Sequence, residues 1–279
     1  MEQNRKYDLI ASDLDGTLLS REQRVSFENF AAISELTRLG VHFVPASGRC
    51  IGEMPADVMG CPDVKYLITS DGATVWDKEK KEVLLSRYIP RDLVKFIIEE
   101  SGKYLSYSMA HDKSDCFYDR RMHTPEIIDA CHVNPYFIQL IESQDIPLDD
   151  YNGRMLASDT VELFCIFFAD EGERQEFERK CLATGRLATA QSAAYNIEIY
   201  SIEAGKGNTL AALAEHLGIP IERTVAVGDS TNDLSLIRSA GLGLAMENAC
   251  DELKAAADKT ICHFSDHSAK YILDNFIKG

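Results

Sequence analysis

Asp13 and Asp15 stand one residue apart in the stretch LIASDLDGTLLS (Leu9–Ser20), straight after an apolar run and straight before Gly16 and Thr17. On an extended segment, side chains two apart point the same way, so both carboxylates project together while Leu14 turns back into the protein. Two carboxylates held this close repel and shift each other's pKa unless a cation lies between them or one keeps its proton. Mg2+ is the cation implied, because it takes one or two carboxylates and fills its shell with water and phosphate oxygens. Taken alone, an Asp-x-Asp triplet is more simply a turn with capping aspartates.

The rest of the chain supplies further chemistry. AVGDSTND places Asp229 and Asp233 just beyond another apolar run, where Asp229 can complete a metal shell with Asn232 and Asp233 in support. Capping explains Ser230 or Asp233 singly, but not the whole run after a strand. ASGRC ends a third apolar run with Ser47, Gly48 and Arg49, a hydroxyl and free backbone N–H groups suited to phosphate oxygens. Lys206, between Gly205 and Gly207 at a helix start, can bind phosphate and offset the aspartates. Its bland reading is a solvated helix-end lysine.

The elements that must hold these residues read as α/β. Tyr7–Ser12 is a buried strand, and Val25, Ala32, Ile33, Leu36 and Leu39 recur at helical spacing before Gly40. Strands follow at Val41 and over Lys65–Ser70, with connections long enough for helical crossovers. The alternation returns near the C-terminus: a helix over Asn208–Leu217, the strand TVAVG, a helix over Leu234–Ser239, a strand from Gly243 and a helix from Ala249. These blocks predict one parallel sheet with helices on both faces, its ligands bound at the carboxyl edge of the strands. Residues 85–190 differ in texture, with aromatics, turn residues and β-like runs such as VELFCIFFA, and read as an inserted α+β domain. The expected domains are therefore a core of 1–84 and 191–279 and an insert of 85–190. Asp77–Lys81 reads as a hairpin tip. His111, Asp112, Arg120, Arg121 and His123 form a polar part of the insert and read as a solvated loop.

Composition narrows the partners. A net charge of −16 in 279 residues argues against nucleic acid, whose phosphates require clustered Lys and Arg. The N-terminus has no apolar core of signal-peptide length, and Leu163–Ala169 is too short to span a bilayer, so a cytoplasmic protein with no membrane partner is expected. The eight cysteines form no C-x-x-C pair and read as small core hydrophobes; Cys262, His263 and His267 read as a strand-to-helix connection rather than a zinc site. The oligomeric state is left open.

The ordered set DLDGTLL, ASGR, GKGNTLAAL and VGDSTND resembles the four motifs of the haloacid dehalogenase superfamily. The large insert between the second and third is similar to that of its Cof-type branch (subclass IIB), which carries an α/β cap of the C2 type over a Rossmann-like core. The resemblance covers essentially the whole chain. It implies Asp13 as nucleophile, Asp15 as general acid and base, and Ser47, Gly48 and Lys206 as phosphate holders. It also implies Mg2+ held by Asp13, Asp229 and the main-chain carbonyl of Asp15. The activity implied is that of a phosphatase for a small phosphorylated metabolite, of the sugar phosphate or pyridoxal phosphate type, with the cap excluding water and setting specificity. A phosphotransferase or phosphomutase using the same aspartyl-phosphate, and a non-catalytic phosphometabolite sensor, are the rival readings. The sequence departs from the pattern at Asp71, where the branch often has Asn, and at Glu247, where Gly is frequent; Asn248 remains as a possible neighbour of the phosphate. Asp71 either faces the substrate or only shapes the turn before Gly72.

Overall fold

A computed structural model describes residues 6–279. It comprises two compact units, one running to Gly48 and including Met54–Leu85 and Lys206–Gly279, the other comprising Arg49–Glu53 and Ser86–Gly205.

The chain opens with β1 (Leu9–Ser12), buried on both faces. The expected helix is Phe27–Arg38, which buries Ala32, Ile33 and Leu36; Ser26 caps it by accepting from the Asn29 N–H, and Gly40 at φ +78° follows its end. After β2 (His42–Pro45), the run read as a third parallel strand behaves differently. β3 (Tyr66–Thr69) pairs antiparallel with β4 (Thr74–Asp77), joins β5 (Glu82–Ser86) in a separate sheet, and touches β2's end through one bridge, Ala46 to Ile68. The antiparallel partner has a local cause: Ser70, Asp71 and Gly72 all have positive φ (50°, 50° and 87°) and reverse the chain at once into β4, while the bridge to Ala46 is parallel, as expected of a third strand. Asp77–Lys81 is the hairpin tip expected, with Asp77 Oδ1 accepting from the Glu79 and Lys80 N–H groups.

The second unit is built on β6 (Ser106–Asp112), β7 (Asp115–Asp119), β8 (Ile146–Leu148), β9 (Val161–Phe168), β10 (Leu187–Ala190) and β11 (Asn196–Ser201), in the order β10-β11-β9-β6-β7-β8. All pairings are antiparallel except β7 with β8. Helices Arg91–Ser101 and Glu171–Ala183 bring Val94, Ile97 and Phe177 against Phe164, Ile166 and Phe168 in one apolar cluster. The boundary read at residue 190 falls inside this sheet, because β11 is bonded to β9. The solvated-loop reading fits the exposed Arg120 and Arg121 but not His111 and Asp112, which are buried on β6. Arg154 pairs with Asp112, and the Ser158 and Thr160 hydroxyls donate to it, which stabilises the carboxylate inside.

The chain then re-enters the first unit through the helix Lys206–His216 and adds β12 (Thr224–Gly228), β13 (Leu242–Ala245) and β14 (Lys259–Thr260). All five strands of the large sheet are parallel, in the order β14-β13-β12-β1-β2, with Ser12 level with Val227 on one side and Pro45 on the other. β1 is thus where the strand order reverses, the crevice at which open α/β sheets bind ligands. Helix Phe27–Arg38 packs with Ser268–Ile272, and Lys206–His216 with Leu234–Ser239. No helix among the described residues is long and apolar enough to cross a membrane.

Candidate active site

Strand ends place the acids. The Asp13 N–H donates to the Val227 carbonyl at 2.9 Å, pinning Asp13 at the carboxyl end of β1 beside the end of β12. From there Lys206 Nζ, at the first turn of its helix and 1 % exposed, donates to Asp13 Oδ1 at 2.8 Å and to Asp233 Oδ1 at 2.6 Å. The other Asp233 oxygen accepts from the Asp229 and Ser230 N–H groups, fixing the loop that carries Asp229. Carboxylate oxygens of Asp13, Asp229 and Asp233 all lie within 4.8 Å of one another.

Two glycines make that approach possible. Gly16 has φ +74°, and a Cβ there would fall 2.2 Å from Asp229 Oδ2; a Cβ on Gly228 would fall 2.4 Å from Asp233 Oδ2. Gly16→Ala is therefore expected to displace Asp229 and lower the rate of phosphate release by roughly 10- to 100-fold. An unchanged rate would mean that the position of Asp229 does not matter.

The charges are in tension. Burial pushes Asp13 well above the ordinary carboxylate range; Asp233, Asp229 and Asp15 push the same way and Lys206 opposes them. Asp229 is pushed up to about 7, by burial first and then by Asp233 and Asp15. Burial alone would lower Lys206, but Asp13, Asp233 and Asp71 hold its ammonium well above its usual value. One buried ammonium thus faces several carboxylates, and the donor set is all hard oxygen, which fits Mg2+. Asp13 and Asp229, with the Asp15 main-chain carbonyl, are the residues that would hold it.

A pH dependence follows. Without metal, folded Asp229 keeps a proton that the unfolded chain has lost between its ordinary 3.8 and about 7, so stability falls as pH rises through that window. A Mg2+ ion bound there would take the proton's place, so its stabilising effect would grow over the same range. Thermal melts should show a larger Mg2+-induced shift at about pH 8 than at about pH 5.5. An equal shift would rule out the exchange of proton for cation.

The remaining residues divide. Ser47 sits at the end of β2, its N–H donating to the Ile68 carbonyl and its own carbonyl accepting from the Asp71 N–H. Asp71 is 1 % exposed with left-handed φ and ψ; its Oδ1 comes within 3.3 Å of where a Gly48 Cβ would lie and accepts from Asn232 Nδ2 at 3.4 Å. It both shapes the turn and presents its carboxylate to the Ser47–Gly48 and Asn232 loops. Thr209, on the Lys206 helix, donates to the Gly72 carbonyl at 2.6 Å and locks that turn to the helix, a contact that no local sequence pattern announces. Asn248 bridges loops, donating to the Gly16 carbonyl at 2.8 Å and to Asp229 Oδ2 at 3.3 Å. Arg49 is seated in the second unit, where it donates to the Glu53 carbonyl and to the Tyr136 hydroxyl. His263 and His267 engage Ser265 and Ser26, and no metal-capable cluster among the described residues contains them or Cys262.

Comparison with known proteins agrees with this geometry. The family model described as haloacid dehalogenase-like hydrolase matches residues 10–273. Phosphatase YwpJ of Bacillus subtilis (strain 168) is 28 % identical over 283 residues, covering 96 % of this chain and 99 % of that protein. The 5-amino-6-(5-phospho-D-ribitylamino)uracil phosphatase YcsE of the same organism is 30 % identical over 265 residues, covering 95 % and 94 %. Among solved structures, a haloacid dehalogenase-like hydrolase from B. subtilis superposes with a TM-score of 0.80 at 26 % identity, covering 97 % of this chain and all of the other. A chain matched almost end to end, with its acids and lysine gathered where the strand order reverses, belongs to the haloacid dehalogenase-like hydrolase family, in its Cof-type branch, and is a phosphatase.

Proposed function

We propose that this chain hydrolyses the phosphate monoester of a small metabolite in a Mg2+-dependent reaction, with Asp13 taking the phosphoryl group. The observation that carries the proposal is the buried contact of Lys206 with both Asp13 and Asp233 at the end of β1. Such a contact fixes a carboxylate and a phosphate-attracting ammonium at one point of the crevice.

Lys206, the Ser47 hydroxyl and the Gly48 N–H hold the phosphate oxygens. An Asp13 oxygen attacks phosphorus in line with the ester oxygen; one O–P bond forms as the other breaks, splitting one difficult displacement into two steps. Asp15, two residues on and only partly buried, gives its proton to the leaving alcohol. As a carboxylate it then takes a proton from the water whose oxygen displaces Asp13 from phosphorus. Asp233 keeps Lys206 oriented and Asp229 in place, while Asn232 and Asn248 brace the surrounding loops. Bound Mg2+ would offset charge between the anionic nucleophile and the anionic substrate.

YcsE acts on a phosphorylated ribityl compound, which supports a phosphorylated polyol or sugar as substrate class. Phosphate release across a panel of phosphorylated sugars, polyols and cofactors, with and without Mg2+, tests the reading. Turnover of at least one member, abolished by metal removal and restored by Mg2+, is expected; undiminished turnover in chelator would exclude the metal's role.

A further inference from the structure

A second cluster of unlike donors lies within the other unit, on one rung of its sheet. His111 on β6 is the cross-strand partner of Cys116 on β7, so both side chains share a face. The parallel pairing of Phe117 with Ile146 sets Asp145, just before β8, beside Cys116. The turn Ile51–Glu53 is tied to the same hairpin by the Gly52 N–H donating to the Ser114 carbonyl at 2.9 Å, and it brings Cys50 and Glu53 to that rung. Glu53 Oε2 accepts from the Cys50 N–H at 3.0 Å and lies 3.3 Å from His111 Nε2.

The donor atoms of Cys50, Glu53 and His111 all lie within 4.8 Å of one another, as do those of Glu53, Cys116 and Asp145. Cys50, Glu53, His111 and Cys116 are at most 4 % exposed. Both Asp145 carboxylate oxygens are enclosed, with the Cys116 thiol as the side chain interacting with them. Two buried carboxylates this close need a cation or a proton between them, and apolar side chains would fill such a space at less cost. Zinc sits roughly 2.0 to 2.3 Å from nitrogen, oxygen and thiolate ligands, so tetrahedral donors stand about 3.3 to 3.8 Å apart; the two sets here, each within 4.8 Å and sharing Glu53, would draw together by small side-chain shifts on binding. Sulfur with imidazole selects a thiophilic ion over Mg2+ or Ca2+.

We propose that Cys50, Glu53, His111 and Cys116 form a site for one thiophilic divalent cation of the zinc class, with the Asp145 carboxylate beside it. Binding displaces the two thiol protons and ties the segment after Gly48 to the β6–β7 hairpin. The site is independent of the catalytic reading, and the all-oxygen cluster at Asp13, Asp229 and Asp233 offers no sulfur, so the two are distinguishable by spectroscopy.

The test is titration of the reduced, chelator-stripped full chain with Co2+. A thiolate-to-cobalt charge-transfer band that saturates at one equivalent, is quenched by Zn2+ and survives in Asp13→Asn is expected. Cys116→Ser and His111→Gln should each weaken the affinity at least about tenfold. Absence of the band in the wild-type chain with excess Co2+ would overturn the proposal, whether or not the variants fold. So would a band that persists undiminished in Cys50→Ser and Cys116→Ser.

Discussion

Asp13→Asn is expected to lower kcat by roughly 10^4-fold or more while leaving the fold intact. Asparagine has the shape of aspartate but no oxygen able to take up a phosphoryl group. The substitution also removes one of several carboxylates crowded around a single ammonium, and Lys206 keeps its 2.6 Å contact with Asp233. Since burial and the neighbouring acids already oppose the Asp13 charge, stability should stay within about 1 kcal/mol of wild type or rise. Phosphate release and thermal melts on the same preparation check both halves. Loss of activity together with loss of fold would make Asp13 a structural residue instead.

Lys206→Met is expected to fail in both respects. The ammonium is fully enclosed between Asp13 and Asp233, and deleting one partner of a buried ionic cluster leaves the others uncompensated, at a cost of about 3–5 kcal/mol. The loss should be greatest at alkaline pH. At lower pH, Asp13 and Asp229, whose pKa values are already raised, relieve the repulsion by taking up protons. Chemical denaturation near neutral and alkaline pH measures this directly. Mg2+ should restore part of the stability, because a divalent cation among the same oxygens replaces the missing charge, but should not restore activity, because a phosphate contact is gone. A variant as stable as wild type at every pH would mean that the acids do not depend on Lys206.

Much of this site was legible in the sequence because its parts are local. An apolar run followed by Asp-x-Asp-Gly, or by Gly-Asp-Ser, fixes both a strand and what projects from its end. Parallel pairing then brings β1 and β12 together although Ile10 and Val225 lie far apart in sequence. What was not legible depends on partners that no local pattern names. Asp233 reads as loop support, yet it meets Lys206, 27 residues earlier, as directly as Asp13 does. The turn at Ser70–Gly72 needs three successive left-handed residues, only one of them glycine, and nothing in SDG announces that. His111 and Asp112 look solvated because they are polar, but Asp112 is satisfied by Arg154, Ser158 and Thr160, more than forty residues later. NIEIYS reads as a β-like run of the insert, like VELFCIFFA, yet a boundary at residue 190 cuts it off; its ladder with β9 places it in the second unit's sheet.

Central to the proposed reaction is the Asp13 carboxylate, which carries the phosphoryl group between substrate and water. The direct measurement uses Asp15→Asn, which is expected to release the group slowly, with an aryl phosphate whose leaving group needs no proton, followed by acid quench and borohydride reduction. Mass spectrometry should then find homoserine at position 13, the reduction product of an aspartyl-phosphate. Unmodified Asp13 in a preparation that is still consuming the aryl phosphate would contradict the account.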